Sequence, residues 1–241
     1  MISADQLKTE VVYPDTDGAP MAESDPTRDY LIYGVEALSI YFQNRDDVYV
    51  SGNMFIYYKQ GIPDAVIAPD VFVVIGVEKK KRKSYKVWDE AGKVPSFVME
   101  VTSKSTQEQD EEDKPKKYAG MGVREYFQYD PTGDYLRPQL KGSRLTEGRY
   151  QAIIPNFLPD GVFSIYSEVL GLDLRLLNKD LRFYEPQTGK KLLSYSETEQ
   201  ARQQAEQARR DAIPRLLGLG LSIEQVAQAL GLSVEEVRQL S

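Results

Sequence analysis

The stretch VPSFVMEVTSKST, residues 94–106, places one carboxylate, Glu100, inside an otherwise apolar run. A short, nearly continuous apolar segment is the mark of a β-strand covered on both faces. Burying an isolated carboxylate there costs several kcal/mol or forces it to take up a proton, so such a residue normally has a partner. The preceding apolar run, VIAPDVFVVIGV at 66–77, carries an acid of its own, Asp70, directly after Pro69. If the two strands are neighbours, both acids can be aimed at one divalent cation, with water completing its shell. Phosphodiester hydrolysis uses such a pair, because the cation neutralises the phosphate, acidifies the attacking water and stabilises the leaving oxygen. A nearby lysine can orient the water or offset the charge that builds up on phosphorus.

Working outward, residues 24–44 read as a helix. Ser24 or Asp25 caps it, Pro26 lies in the first turn, and Leu31, Val35, Leu38 and Phe42 recur at helical spacing. VYVSGNMFIYY, 48–58, predicts a strand or hairpin, and EKKKRKSYKVWDEAGKVP, 78–95, a polar loop. The charged segment after Glu100 predicts a helix in its C-terminal half, followed by EYFQYDP and YLRPQL as strands. Residues 149–193 predict further strands, with EPQTGKK at a hairpin tip. This order indicates a mixed α/β (α+β) domain around a central sheet. The expected organisation is an N-terminal arm at 1–23, this domain at 24–193 and a helical tail at 194–241. In the tail, Ala201, Ala205, Ala208 and Ala212 form a thin helical seam. Two capping boxes follow, Ser222 with Gln225 and Ser233 with Glu236, each opening a short amphipathic helix.

Composition narrows the chemistry. The 241 residues include no cysteine and no histidine, which excludes disulfides, thiolate and imidazole metal sites, and histidine acid–base catalysis. What remains is carboxylates, lysine and tyrosine, a set suited to hard cations such as Mg²⁺ or Mn²⁺. The net charge of −7 argues against tight nucleic-acid binding by the surface as a whole, without excluding a local basic face. No apolar stretch is long enough for a membrane span and no secretory signal is visible, so a cytoplasmic location is expected.

PDVFVV, FVMEVTSKST, then Asp110, Lys114 and Tyr118 at helical spacing, then MGVREYFQYDP together resemble the Uma-two family of restriction-endonuclease-like proteins, within the PD-(D/E)XK nuclease superfamily. The resemblance spans roughly 25–185. It implies a mixed sheet flanked by helices, DNA as substrate, Mg²⁺ or Mn²⁺ as cofactor, and Asp70 and Glu100 as metal ligands. The superfamily lysine position, two after the acid, is Thr102 here; the resemblance instead implies Lys114 on the following helix, with Lys104 a weaker substitute. Pro115 directly after Lys114 disfavours a helical conformation at the lysine, so the reach of Lys114 depends on how the helix accommodates it. Glu36 on the first helix is a candidate accessory acid by its general location.

The basic run between the acid-bearing strands supplies Lys80, Lys81, Arg82 and Lys83 as candidate nucleic-acid contacts, with Tyr85 and Trp88 interleaved. The tail has the outline of a helix-turn-helix, but its second helix opens with Glu235 and Glu236, the wrong charge to face phosphates. A homo-oligomer assembled through the tail is the expected use. The alternative to a nuclease is a non-catalytic nucleic-acid-binding or scaffold protein that retains the fold.

Overall fold

The computed structural model describes residues 11–16 and 24–240. The expected arm therefore lies outside the described residues except at 11–16, where Tyr13 packs its ring 5.1 Å from Tyr57 and 5.0 Å from Trp88. The chain divides into two compact units, Met1–Leu192 and Leu193–Ser241.

The first unit opens with helix α1, Asp25–Tyr41, capped by Ser24, whose Oγ accepts from Thr27 N. It buries Tyr33, Gly34, Ala37 and Leu38. Gly34 permits this close approach, because a Cβ there would lie 2.7 Å from Val71 Cγ2. The helix ends a little before the expected Asn44. The carbonyls of Phe42 and Gln43 are instead met by Lys79 Nζ, at 2.8 and 3.1 Å.

Of the strand or hairpin expected at 48–58, strands form but do not pair with each other. Strand β1, Val48–Ser51, joins one sheet, while β2, Ile56–Tyr57, joins another with β3, Val66–Ile67, and β5, Tyr85–Lys86. The break falls at Gly52 and Asn53: Asn53 has a positive φ of 48° and donates its N–H to Pro69 O at 2.8 Å. The apolar run 66–77 is likewise two elements. Pro69 cannot donate to a ladder, and β4 starts after it, spanning Val71–Ile75. The polar loop 78–95 holds β5 and a 3₁₀ turn at Val87–Glu90.

The remaining strands of the main sheet are β6, Phe97–Val101; β7, Glu125–Tyr129; β8, Leu140–Thr146; and β9, Arg149–Ala152, in the order β1-β4-β6-β7-β8-β9. Strand β6 is central and wholly buried, antiparallel to β4 and parallel to β7. Its side chains alternate as a pleated strand requires. Phe97, Met99 and Val101 enter the core shared with α1, whereas Val98 packs on the other face with Tyr118, Val123 and Tyr126. Glu100 lies on that second face. The parallel β6–β7 pair is bridged by a helical crossover at 107–121, whose last part is α2, Lys114–Met121.

The expected strand YLRPQL is a strand only from Leu140. Asp130 holds the preceding turn, accepting from the N–H groups of Thr132, Gly133, Tyr135 and Leu136 at 2.6–3.0 Å. A second sheet follows: β10, Asn156–Phe157; β11, Phe163–Ser167; β12, Leu172–Leu177; and β13, Asp180–Tyr184. It closes the α1-side core with Ile165, Leu172, Leu174, Leu181 and Phe183. The EPQTGKK turn forms as expected, with Gly189 N donating to Glu185 O at 2.8 Å.

The second unit holds α3, Tyr195–Gly218; α4, Ile223–Leu230; and α5, Val234–Leu240. Ile213, Val226, Ala227 and Val237 form its small core. Reciprocal capping occurs at Ser222/Gln225 and Ser233/Glu236, and also at Ser194/Glu197. Ala201, Ala205 and Ala208 are exposed. Among the described residues no helix is long and apolar enough to cross a membrane.

Candidate active site

The antiparallel register of β4 on β6 sets Val71 opposite Met99, which brings Asp70, one residue before β4, beside Glu100. Asp70 N donates to Glu100 Oε2 at 3.3 Å, and Val101 N donates to Asp70 Oδ2 at 2.7 Å. The two carboxyl groups are close enough to influence each other's ionisation. Gly52 braces this arrangement from below, since a Cβ there would fall 2.1 Å from Asp70 O.

Glu100 is fully buried and held from three directions. Besides Asp70 N, Tyr118 OH donates to its Oε1 at 2.5 Å, and Lys114 Nζ lies 2.9 Å from its Oε2. The same ammonium sits 2.8 Å from Asp110 Oδ1.

The crossover helix reaches this geometry despite Pro115. Lys114 N–H bonds to Gln109 O, five residues back, so 109–113 form a π-turn. Continuing that pattern would pair Asp110 O with the N–H of residue 115, which proline lacks. Two side chains of β7 fill the gap: Tyr126 OH and Gln128 Nε2 donate to Asp110 O at 2.7 and 3.0 Å. The helix therefore passes through the proline, and Asp110, Lys114 and Tyr118 share one face at intervals of four.

Electrostatics follow from burial. Burial pushes the Asp70 carboxyl up to about 6, with the Lys114 charge opposing it. Burial likewise pushes Glu100 up to about 8, against Lys114 and assisted by the negative charge of Asp70. Burial works against the Lys114 ammonium, but Glu100 and Asp110 beside it overcome this and hold its pKa above the usual lysine value. Tyr118 is raised by burial and by Glu100. Near neutral pH the two acids hold more protons than exposed carboxylates would, while Lys114 keeps its charge. Asp70, Glu100 and Asp110 all lie about the Lys114 ammonium, but among the described residues no three acids are grouped so that they could hold one metal ion.

Asp70 lies on the wall of a cleft of about 700 Å³, together with Thr102, Ser103, Lys104 and Thr106 after β6, Ser24 and Thr27 at the start of α1, and Thr132 and Tyr135.

With this geometry in place, comparison with known proteins places the chain. The profile of the Uma2 family, described as "putative restriction endonuclease", matches residues 22–177. The chain belongs to the Uma2 family. A solved structure with a similar course is that of a "putative nuclease belonging to DUF820" from Anabaena variabilis, at 10% identity and a TM-score of 0.42, covering 58% of this chain and 75% of that one. No curated protein matches the chain in sequence.

In this Uma2 family member the structure brings Asp70, Glu100 and Lys114 together, and Glu36 is not one of the group. Glu36 is exposed. It lies two positions from both Gly34 and Leu38, which are buried, and at 3.6 residues per turn that is the far side of α1. The basic loop leaves the end of β4 opposite Asp70, then turns back along β1: Lys80, Lys81 and Arg82 line a cavity with Tyr49, Val50, Ser51 and Met54, and Ser51 pairs with Phe72. Arg82 is committed to the fold: it pairs with Glu90 at 2.8 Å, lies 4.3 Å from the Tyr49 ring centroid, and has a side chain only 5% exposed. Lys80 pairs with Glu78 at 3.2 Å, and Lys81 and Lys83 are exposed. Lys104 is exposed on the cleft wall. Sequence reading missed Gly52, Tyr126 and Gln128, whose roles depend on contacts between segments with no local signature.

Proposed function

We propose that this protein is a divalent-cation-dependent endonuclease that hydrolyses DNA phosphodiester bonds. The observation behind this reading is the convergence of Asp70 and Glu100 from paired strands, with the Lys114 ammonium 2.9 Å from Glu100 Oε2. The donor set fits a hard cation: it is oxygen only, and two carboxyl groups are buried together with less positive charge than full ionisation requires. Asp70 and Glu100 would hold Mg²⁺ or Mn²⁺. When bound, such an ion supplies charge neutralisation at the phosphate and acidifies a coordinated water.

The chain's own residues do the positioning. Tyr118 fixes one oxygen of Glu100 and so sets the plane of the carboxylate. Asp110 shares the Lys114 ammonium with Glu100, which keeps a positive charge at the pair where a phosphate gains negative charge. Burial of Glu100 and Asp110 keeps the local dielectric low and strengthens these interactions.

A second reading, a non-catalytic nucleic-acid-binding or scaffold protein, is favoured by one observation: Glu100 and Asp110 already have a cationic partner in Lys114. Cleavage of plasmid and oligonucleotide DNA with Mg²⁺ or Mn²⁺, comparing wild type with Glu100→Gln, separates the two. The nuclease reading requires cleavage by wild type and its loss in the variant; equal activity in both ends it.

A further inference from the structure

The cleft beside Asp70 has a distinctive chemistry. Among the described residues, more than half of its lining carries an aliphatic hydroxyl, including Thr102, Ser103, Ser105, Thr106 and Thr132, and the basic side chain among them is Lys104. Among the described residues the lining holds no arginine, asparagine or glutamine, three of the side chains that read base edges by paired hydrogen bonds, and the aromatic ring it shows is Tyr135. The start of α1, with Ser24 and Thr27, forms part of the same wall.

A second observation points to a missing ligand. Thr102 is 1% exposed and its Oγ1 has no hydrogen-bond partner among the described residues. It lies two residues after Glu100, on the Glu100 side of the chain, and belongs to the cleft wall. A buried hydroxyl without a partner is costly. Its neighbours are already joined to one another: Ser103 Oγ lies 3.1 Å from Ser105 Oγ and 3.3 Å from Thr106 Oγ1, and Thr132 Oγ1 donates to Asp130. Thr132 has thus given its proton to Asp130 and Thr106 lies within reach of Ser103 O, which leaves Thr102 as the hydroxyl of this group with its donor uncommitted.

We infer that this cleft grips the sugar–phosphate backbone of DNA without reading base sequence, and that Thr102 gives its hydroxyl to a backbone phosphate oxygen entering the cleft floor. This rests on the nuclease reading for the identity of the polymer, and it replaces the basic loop by a hydroxyl-lined grip. With Lys104 on the cleft wall and Lys114 at the acid pair, few counterions are released on binding. The logarithm of affinity should fall with the logarithm of salt at a slope of about one per lysine engaged, not the steeper slope of the four-residue basic run.

The test is anisotropy of a labelled 20-base-pair duplex titrated with the full chain in Ca²⁺, for wild type, Thr102→Val, Thr102→Ser and a Lys80→Ala/Lys81→Ala/Lys83→Ala triple variant, with melting temperatures measured without DNA. Thr102→Val keeps the shape and should melt no lower than wild type, yet bind about tenfold more weakly, the size of one hydrogen bond to a charged group. Thr102→Ser should restore the affinity, the triple variant should leave it unchanged, and duplexes of unrelated sequence should bind alike. Unchanged affinity in Thr102→Val, a lower melting temperature in that variant, or no binding by wild type overturns the inference. Cleavage by wild type with an unaffected Thr102→Val would remove this inference and leave the nuclease reading standing. Thr102-dependent binding without cleavage would do the reverse.

Discussion

Lys114 reaches Asp110, one helical turn before it, with an ion pair of 2.8 Å, although Pro115 follows the lysine directly. The π-turn at 109–113 makes this possible, and Tyr126 and Gln128 of β7 take up the Asp110 carbonyl that the proline leaves without a donor. The helix that presents the lysine is thus fastened to the strand beside Glu100 by the irregularity itself.

That fastening predicts a coupling. Gln128→Leu leaves the buried Asp110 carbonyl with one donor fewer and should cost about 1–2 kcal/mol by urea denaturation. In a Pro115→Ala background, where residue 115 regains an N–H, the same change should cost clearly less. A double-mutant cycle measures the difference, and strictly additive effects would contradict the account.

Tyr118→Phe removes the donor to Glu100 Oε1 while keeping the ring. A loss of about 1–3 kcal/mol in unfolding free energy is expected, as for a hydrogen bond to a charged or partly charged group. That bond lowers the Glu100 pKa, so the carboxyl should titrate higher still in the variant. Carbon-detected NMR of the Glu100 carboxyl would show the shift.

Stability should depend on pH with a definite sign. Asp70 rises from 3.8 to about 6 and Glu100 from 4.5 to about 8 on folding. The native state therefore binds more protons than the unfolded chain across that window. Stability supplied by these groups is complete below about pH 4 and is lost as pH climbs toward 8. Glu100→Gln should flatten most of the upper part of this slope, with thermal melts at fixed ionic strength as the readout.

Gly52→Ala introduces a methyl group 2.1 Å from Asp70 O and 2.8 Å from Val35 Cγ2. Backbone on one side leaves little room to yield, so a loss of about 2 kcal/mol or more is expected, within the range for overpacking. Because Asp70 moves with its carbonyl, Mn²⁺ affinity by calorimetry should fall as well. An alanine variant with wild-type stability and Mn²⁺ affinity would show the contact to be relaxed at no cost.

The double variant Asp70→Ala/Glu100→Ala should lose divalent-ion binding altogether. Because the change also leaves the buried Tyr118 hydroxyl and the Val101 N–H without their acceptors, the ion-free variant should lose stability, and lose less above pH 7, where the two acids are short of positive charge, than at pH 5. A larger loss above pH 7 than at pH 5 would contradict the raised pKa values of the pair.

How much of this was legible beforehand differs from residue to residue. Ser24 as a cap, the apolar runs around Phe72 and Val98, and the capping boxes at Ser222 and Ser233 are local: each follows from spacing and propensity within a few residues, so the chain declares them. Cysteine and histidine content likewise fixed which chemistries were open, and one acid in each of two apolar runs marked Asp70 and Glu100. Local pattern could not decide which strands pair, and therefore failed where pairing mattered. The 48–58 segment looked like a hairpin, yet Asn53 turns toward Pro69 and sends its two halves to different sheets. The basic run looked uniformly free to bind, yet Arg82 is spent on Glu90 and the Tyr49 ring, contacts that no local pattern announces. Pro115 looked like a break, and only the donors of Tyr126 and Gln128, on a strand reached after a full crossover, made it tolerable. By itself the sequence determined the elements and the reactive groups. The tertiary structure decided which groups meet, because register and strand direction depend on burying apolar faces between segments far apart in the chain.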